Sequence, residues 1–94
     1  MLKLKKHDLL EHALYLAERD GYNKITRDGI AHRSGAAMGT VTNHLGTMAQ
    51  IRRAVVRHAV RTQNLAIIAQ AVALRDPLVK KIDPVLKQRA LDSL

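Results

Sequence analysis

The stretch TRDGIAHRSGAAMGTVTNHLGTMAQ, residues 26–50, decides the fold. Thr26 is a good N-cap for a helix over 27–34, and Gly35 is placed to end that helix with a left-handed backbone. A second short helix is predicted over 39–45, where Val41 and Leu45 stand one turn apart on the apolar side. These residues therefore predict two short helices that are joined by a tight glycine turn.

The outward side of the second helix carries only small or hydrogen-bonding residues. With Val41 directed back to Ile30, this side presents Gly39, Thr40, Thr42, Asn43 and His44. A helix that enters a major groove needs such a surface, because amides and hydroxyls can meet base edges or phosphates there. The alternative is a helical hairpin that only packs on a core. The acid-free surroundings favour a recognition helix.

Helical patterns flank this motif on both sides. Helix 1 is predicted over 9–20, with Asp8 as its cap. A long fourth helix is predicted over 48–74, opened by a capping box of Thr47 and Gln50. The pairs Asp76-Pro77 and Asp83-Pro84 each predict a cap followed by a first-turn proline. They divide the tail into a short helical piece and a final helix over 84–93.

These elements predict an all-α protein, with a three-helix domain, a long fourth helix and a short C-terminal helical tail. No alternating strand pattern occurs. The 94 residues suit a single domain over 1–94. Its predicted parts are a basic arm over 1–8 that includes Lys3, a helix-turn-helix region over 9–46, and a long-helix and dimerisation region over 47–94.

Charge and composition favour a polyanionic partner. The formal net charge is +8, and no Asp or Glu occurs from Gly29 to Arg75. The chain has no cysteine, which excludes disulfides and zinc-thiolate sites. It has no apolar run of membrane-spanning length and no signal peptide, so a cytoplasmic, nucleoid-associated protein is expected.

The segment LLEHALYLAERDGYNKITRDGIAHRSGAAMGTVTNHLGTMAQIRRAVV, from Leu9 to Val56, resembles the DNA-binding domain of TetR-type repressors. The order GY…T…IA…G…GT carries the resemblance. It implies three helices plus a long fourth, with helix 3 in the major groove. It also implies DNA-facing positions at Thr26, Gly39, Thr40, Thr42, His44 and Thr47.

The chain departs from that family's pattern in the turn and in helix 3. Met38 stands where a lysine is usual, Thr42 where a tyrosine is usual, and Ala37 where a serine caps the helix. The family's further ligand-binding domain is not expected in a chain of this length. The chain therefore also resembles, more loosely, the short plasmid- and phage-borne repressors of the KorC kind.

Two sets of residues are predicted to make contacts. The first is expected to bind DNA and comprises Lys5, Lys6, Thr26, Arg27, Met38, Gly39, Thr40, Thr42, Asn43, His44, Thr47, Arg52 and Arg53. The second is expected to form a homodimer, because the segment 65–74 is apolar on nearly every side. It comprises Leu65, Ile68, Ala69, Val72, Leu86 and Leu91, with the terminal helix also covering part of the apolar segment.

The predicted function is sequence-specific binding of a homodimer to a palindromic operator, which represses transcription. No enzyme activity, cofactor, metal site or small-molecule effector is expected, since neither a catalytic constellation nor a metal-ligand spacing occurs. Two alternatives stay open. One is a protein-binding module, such as an antitoxin or antirepressor, and the other is an accessory protein that bends DNA.

Overall fold

The computed structural model describes residues 5–94 and confirms the all-α class. Within these residues the chain forms helices and no strand. The α-helices are α1 (Lys6–Asp20), α2 (Arg27–Ser34), α3 (Met38–Leu45), α4 (Met48–Thr62), α5 (Leu65–Ala73) and α6 (Pro84–Asp92). A 3-10 helix, Pro77–Lys81, lies between α5 and α6. None of the helices in residues 5–94 has the length and hydropathy needed to cross a membrane.

The contacts of the chain group into two compact units. Unit 1 is Met1–Val55, of which residues 5–55 are described, and unit 2 is Val56–Leu94. The sequence predicts one domain over 1–94 with a division near residue 46, whereas this boundary falls inside α4. The first half of α4 therefore belongs to unit 1 and its second half to unit 2.

Unit 1 contains α1, α2, α3 and the first half of α4, and its first three helices contact one another pairwise. The spacing of apolar residues along α1 produces one buried stripe, because positions three and four apart share a helix face. Three of its side chains, Leu9, Ala13 and Ala17, are fully buried. Ile30 of α2 and Val41 of α3 are fully buried as well. Because Val41 packs in this core, the core sets the orientation of α3 relative to α1 and α2.

Helix α1 begins at Lys6, three residues earlier than the sequence predicts. Asp8 is the third helical residue and not the cap, and its carboxylate accepts a hydrogen bond from the Lys5 backbone N–H at 3.0 Å. An acid in the first helical turn also interacts favourably with the helix dipole. The predicted basic arm therefore ends by Lys5, and residues 1–4, including Lys3, lie outside the described residues.

The predicted long helix over 48–74 is two helices. Helix α4 ends at Thr62, Gln63 adopts a left-handed φ of 55°, and α5 begins at Leu65. Asn64 is the N-cap of α5, since its side-chain oxygen accepts a hydrogen bond from the Ile67 N–H at 3.3 Å. A capping asparagine satisfies a backbone donor that a continuous helix would bond to a carbonyl, so a new helix starts here.

Unit 2 is held together by α5, which contacts both α6 and the 3-10 helix. Both predicted cap-and-proline pairs are confirmed. Asp76 accepts a hydrogen bond from the Leu78 N–H at 2.9 Å, and Asp83 accepts one from the Val85 N–H at 2.7 Å. Pro77 and Pro84 each occupy the first turn that follows.

Candidate nucleic-acid interface

Two short helices and a three-residue connection form the centre of the candidate interface. Thr26 caps α2 by accepting a hydrogen bond from the Gly29 N–H at 3.0 Å. Gly35 ends α2 with a φ of 75°, as the sequence predicts, and α3 starts at Met38. Because L-residues rarely adopt this φ, the direction of the chain from α2 into α3 depends on a glycine at position 35.

Helix α3 is anchored on one side only. Val41 and Leu45 are buried one turn apart, and α3 contacts both α1 and α2. Its other side chains are open to solvent to different degrees. Thr40 is half-buried, whereas Gly39, Thr42, Asn43 and His44 are exposed. A ligand could therefore reach every predicted base-reading residue without any rearrangement of the core.

Two threonine hydroxyls mark the starts of α2 and α4. The capping box of Thr47 and Gln50 is confirmed: the Gln50 N–H donates to Thr47 Oγ1 at 3.2 Å, and the Thr47 N–H donates to Gln50 Oε1 at 2.8 Å. Both Thr26 and Thr47 use the hydroxyl oxygen as an acceptor for the cap. Since a hydroxyl also carries one donor, each O–H can still donate to a phosphate oxygen.

The remaining predicted DNA contacts are basic residues and one methionine. All of them lie in the described part of unit 1, and none is buried. Lys5, Lys6 and Arg53 are exposed, while Arg27 and Arg52 are half-buried. Met38, at the start of α3, is 42% exposed. The structure thus leaves this whole predicted set accessible.

Sequence reasoning missed a stacked arrangement between α1 and α2. The guanidinium carbon of Arg33 lies 3.4 Å from the centroid of the Tyr15 ring, and that of Arg19 lies 5.9 Å from it. Arg33 and Arg19 also line a groove of about 420 Å³ together with His32, Leu16 and Gly29. The acid-free run contains Arg33, but no local pattern indicates its stacking partner eighteen positions earlier in the chain.

One carboxylate in this region is paired with an arginine. Arg19 donates two hydrogen bonds to Asp20, from Nε at 3.1 Å and from Nη2 at 2.9 Å. The hydrogen bond from Arg19 is the main reason that the pKa of Asp20 lies below its ordinary value. Because Asp20 stays ionised and paired, it offsets the charge of Arg19 and leaves Arg33 as the more available cation beside Tyr15.

The predicted dimerisation residues divide into two groups by burial. Ile68 and Ala69 are buried by the chain itself, with 0% and 2% exposure. Leu65, Val72 and Leu86 are half-buried, and Leu91 is 39% exposed. Part of the apolar surface of α5 is therefore buried in the core of unit 2. Only Leu65, Val72, Leu86 and Leu91 remain accessible to another molecule.

Comparison with protein-family models, with curated proteins and with solved structures finds no match for this chain. The resemblance to TetR-type repressors stays a prediction from the residues quoted above. The features of unit 1 that bear on function are the exposed face of α3, the charges around it and the glycine turn that precedes it.

Proposed function

We propose that the chain is a sequence-specific DNA-binding repressor of transcription that acts as a homodimer. The observation that carries this proposal is the outer face of α3. A helix anchored by Val41 and Leu45 leaves Asn43, Thr42 and Thr40 accessible, and these residue types hydrogen-bond to base edges. A helix that merely covered a core would gain solubility from charged residues there, yet Met38–Leu45 contains no Asp, Glu, Lys or Arg.

The charge distribution supports a polyanionic partner for the same region. No acid occurs between Gly29 and Arg75, while Arg52 and Arg53 follow closely after α3. Arginines, lysines and hydroxyl donors near the recognition helix would contact phosphates and set its register, and base contacts would add specificity. In this arrangement Thr26 and Thr47 donate to phosphates from the starts of α2 and α4.

A homodimer would place two copies of α3 about one DNA turn apart, or roughly 34 Å, on an inverted repeat. The dimer surface that we propose comes from the accessible apolar residues of unit 2. Leu65, Val72, Leu86 and Leu91 belong to the predicted set, and Leu74 and Val85 are 50% and 68% exposed. A repressor of this kind acts in the cytoplasm on the nucleoid, and the proposal requires neither a catalytic group nor a metal.

Selection of bound duplexes from a random pool tests the proposal directly. We expect a consensus sequence with two half-sites that form an inverted repeat, because a two-fold dimer reads both with the same residues. Enrichment of flexible steps without a consensus would instead favour the DNA-bending alternative, with Met38 as a wedge. Failure to bind any duplex beyond a nonspecific level would favour the protein-binding alternative and overturn the proposal.

The role of α3 is tested by an asparagine pair. Asn43→Ala should weaken binding to the selected site by about 1–3 kcal/mol and leave binding to random DNA nearly unchanged, because a lost base contact affects only the specific complex. Asn23→Ala is the matched control, since Asn23 is also exposed but lies before α2. Fluorescence anisotropy at fixed salt measures both. Equal losses on specific and random DNA would exclude Asn43 as a base reader.

A further inference from the structure

Unit 2 contains a cavity that the DNA-binding proposal does not use. It has a volume of about 340 Å³ and lies between the second half of α4 and the 3-10 helix. Sites for small molecules begin at about this volume, so a small ligand fits its size better than an extended polymer. Its lining divides into an apolar part and a cationic part.

The apolar part comes from two pairs of side chains, and the members of each pair are four positions apart in the sequence. Val56 and Val60 lie on α4, and Leu78 and Ile82 lie on and just after the 3-10 helix. Val56 and Ile82 are buried, whereas Val60 and Leu78 are half-buried. An apolar group that entered the cavity would cover the two half-buried side chains, which favours binding through the removal of apolar surface from water.

The cationic part consists of Arg57, Arg61 and Lys81. All three are exposed, and no carboxylate belongs to the lining. Within residues 5–94 no ion pair engages any of these three side chains. The acids that flank the 3-10 helix, Asp76 and Asp83, accept backbone hydrogen bonds as helix caps.

We propose that this cavity binds a small amphipathic carboxylate, with its apolar body against the two apolar pairs and its carboxylate among the three cations. Arginine forms two parallel hydrogen bonds to a carboxylate, and a charge-assisted hydrogen bond is stronger than a neutral one. A DNA phosphate would satisfy the cations but has no apolar body for the valines. The combination of both surfaces therefore selects a free acid with a hydrocarbon chain or ring.

Titration with octanoate tests the class of ligand. Calorimetry and amide chemical shifts of the whole chain should show saturable binding of one octanoate per chain, below the concentration at which octanoate forms micelles. Octylammonium has the same chain with the opposite charge, and acetate has the same headgroup without the chain. Each should bind at least tenfold more weakly. Equal binding of octylammonium, or no saturable octanoate binding, overturns the proposal.

Matched arginine variants test the location. Arg61→Gln should weaken octanoate binding at least tenfold, whereas Arg53→Gln should leave it unchanged, since Arg53 lies on the same helix but outside the cavity lining. Thermal melts of both variants check that each retains the fold of the parent.

Binding to vesicles with an anionic surface distinguishes a site for a free acid from a site for a lipid surface. Tighter binding to such vesicles than to octanoate, with the same loss in Arg61→Gln, would assign the cations to a lipid surface and overturn the proposal. Because these measurements contain no DNA, their outcome is independent of the proposed repressor function.

Discussion

Helices α3 and α5 have almost the same length, eight and nine residues, but opposite relations to the solvent. Helix α5 buries four side chains, Ile67, Ile68, Ala69 and Ala71. Helix α3 buries only Val41 and Leu45. In α5 the residue types follow from the packing of unit 2, whereas most residues of α3 are not needed for packing.

The contrast between α3 and α5 shows that a surface pattern indicates a partner only where packing within the chain does not explain it. The apolar character of residues 65–74 suggests a partner, yet the chain itself buries Ile68 and Ala69. The small polar residues on the outside of α3 have no such explanation within the fold. A functional role is therefore argued more strongly from Asn43 and its neighbours than from the apolar residues of α5.

A charge placed in the buried part of α5 should have the largest effect. Ile68→Asp should lower the free energy of unfolding by on the order of 3–5 kcal/mol, because an uncompensated charge would be buried in unit 2. Urea unfolding followed by far-UV circular dichroism measures this change.

Ala66→Asp provides the control for that substitution. Ala66 is exposed in the first turn of the same helix, where an acid interacts favourably with the helix dipole, so stability should change by less than about 1 kcal/mol. If Ile68→Asp instead leaves the fold intact and only dissociates a dimer, then α5 contributes to an interface and not to the core of its own unit.

The same substitution at two glycines should have opposite effects in unit 1. Gly35→Ala should destabilise the fold by about 1–2 kcal/mol, because alanine must adopt a φ of 75°. Gly39→Ala should stabilise it by about 0.4–1 kcal/mol, because position 39 is helical and a Cβ there would meet no atom within 4 Å. Thermal and urea unfolding give both values.

The Gly39→Ala variant also tests whether the outer face of α3 contacts DNA. If Gly39 faces DNA, this more stable variant should bind the selected operator more weakly than the parent does. A variant that gains stability without any loss of binding would show that DNA does not approach the backbone at this position.

The break between α4 and α5 can be tested at Gln63. Gln63→Gly should stabilise the chain by roughly 1 kcal/mol, because glycine adopts a φ of 55° without steric cost. Gln63→Ala is the control, because it also removes the hydrogen bond from Arg89 to Gln63 Oε1 but keeps the unfavourable φ. A Gln63→Gly variant that is less stable than Gln63→Ala would instead indicate a continuous helix through residue 63, because glycine destabilises a helix interior relative to alanine.

Acidic pH should produce the smallest effect. Since the hydrogen bond from Arg19 lowers the pKa of folded Asp20, its stabilising contribution is present at neutral pH and is lost as pH falls from about 4 through the lowered pKa. Asp20→Asn should therefore be less stable than the parent at pH 7, with the difference shrinking at low pH. A constant difference across the titration would mean that the ion pair makes no pH-dependent contribution.

The sequence predicts best where a side chain acts on its own backbone. Thr26, the Thr47–Gln50 pair and both Asp-Pro pairs cap helices in the structure, because these hydrogen bonds involve residues only two or three positions apart. The bounds of α2 agree with the prediction for the same reason.

Features that depend on distant residues could not be predicted in this way. The periodic apolar residues of 48–74 continue through Gln63, so a long helix is the simpler interpretation, and only the cap at Asn64 hints at a break. The stack of Arg33 on Tyr15 joins two helices that come together only in the folded unit. The cavity of unit 2 likewise combines residues of α4 with residues about twenty positions later.

The position of the two tyrosines leaves unit 2 without a near-ultraviolet signal. Tyr15, beneath Arg33, and Tyr22, 4% exposed, are the only aromatic side chains in the sequence, and both belong to unit 1. Near-UV circular dichroism and tyrosine fluorescence therefore report on unit 1 alone, whereas far-UV circular dichroism reports on the helices of both units. Unfolding curves that coincide in the two spectral ranges would mean that the units melt together, and curves that separate would measure the stability of each unit without any label.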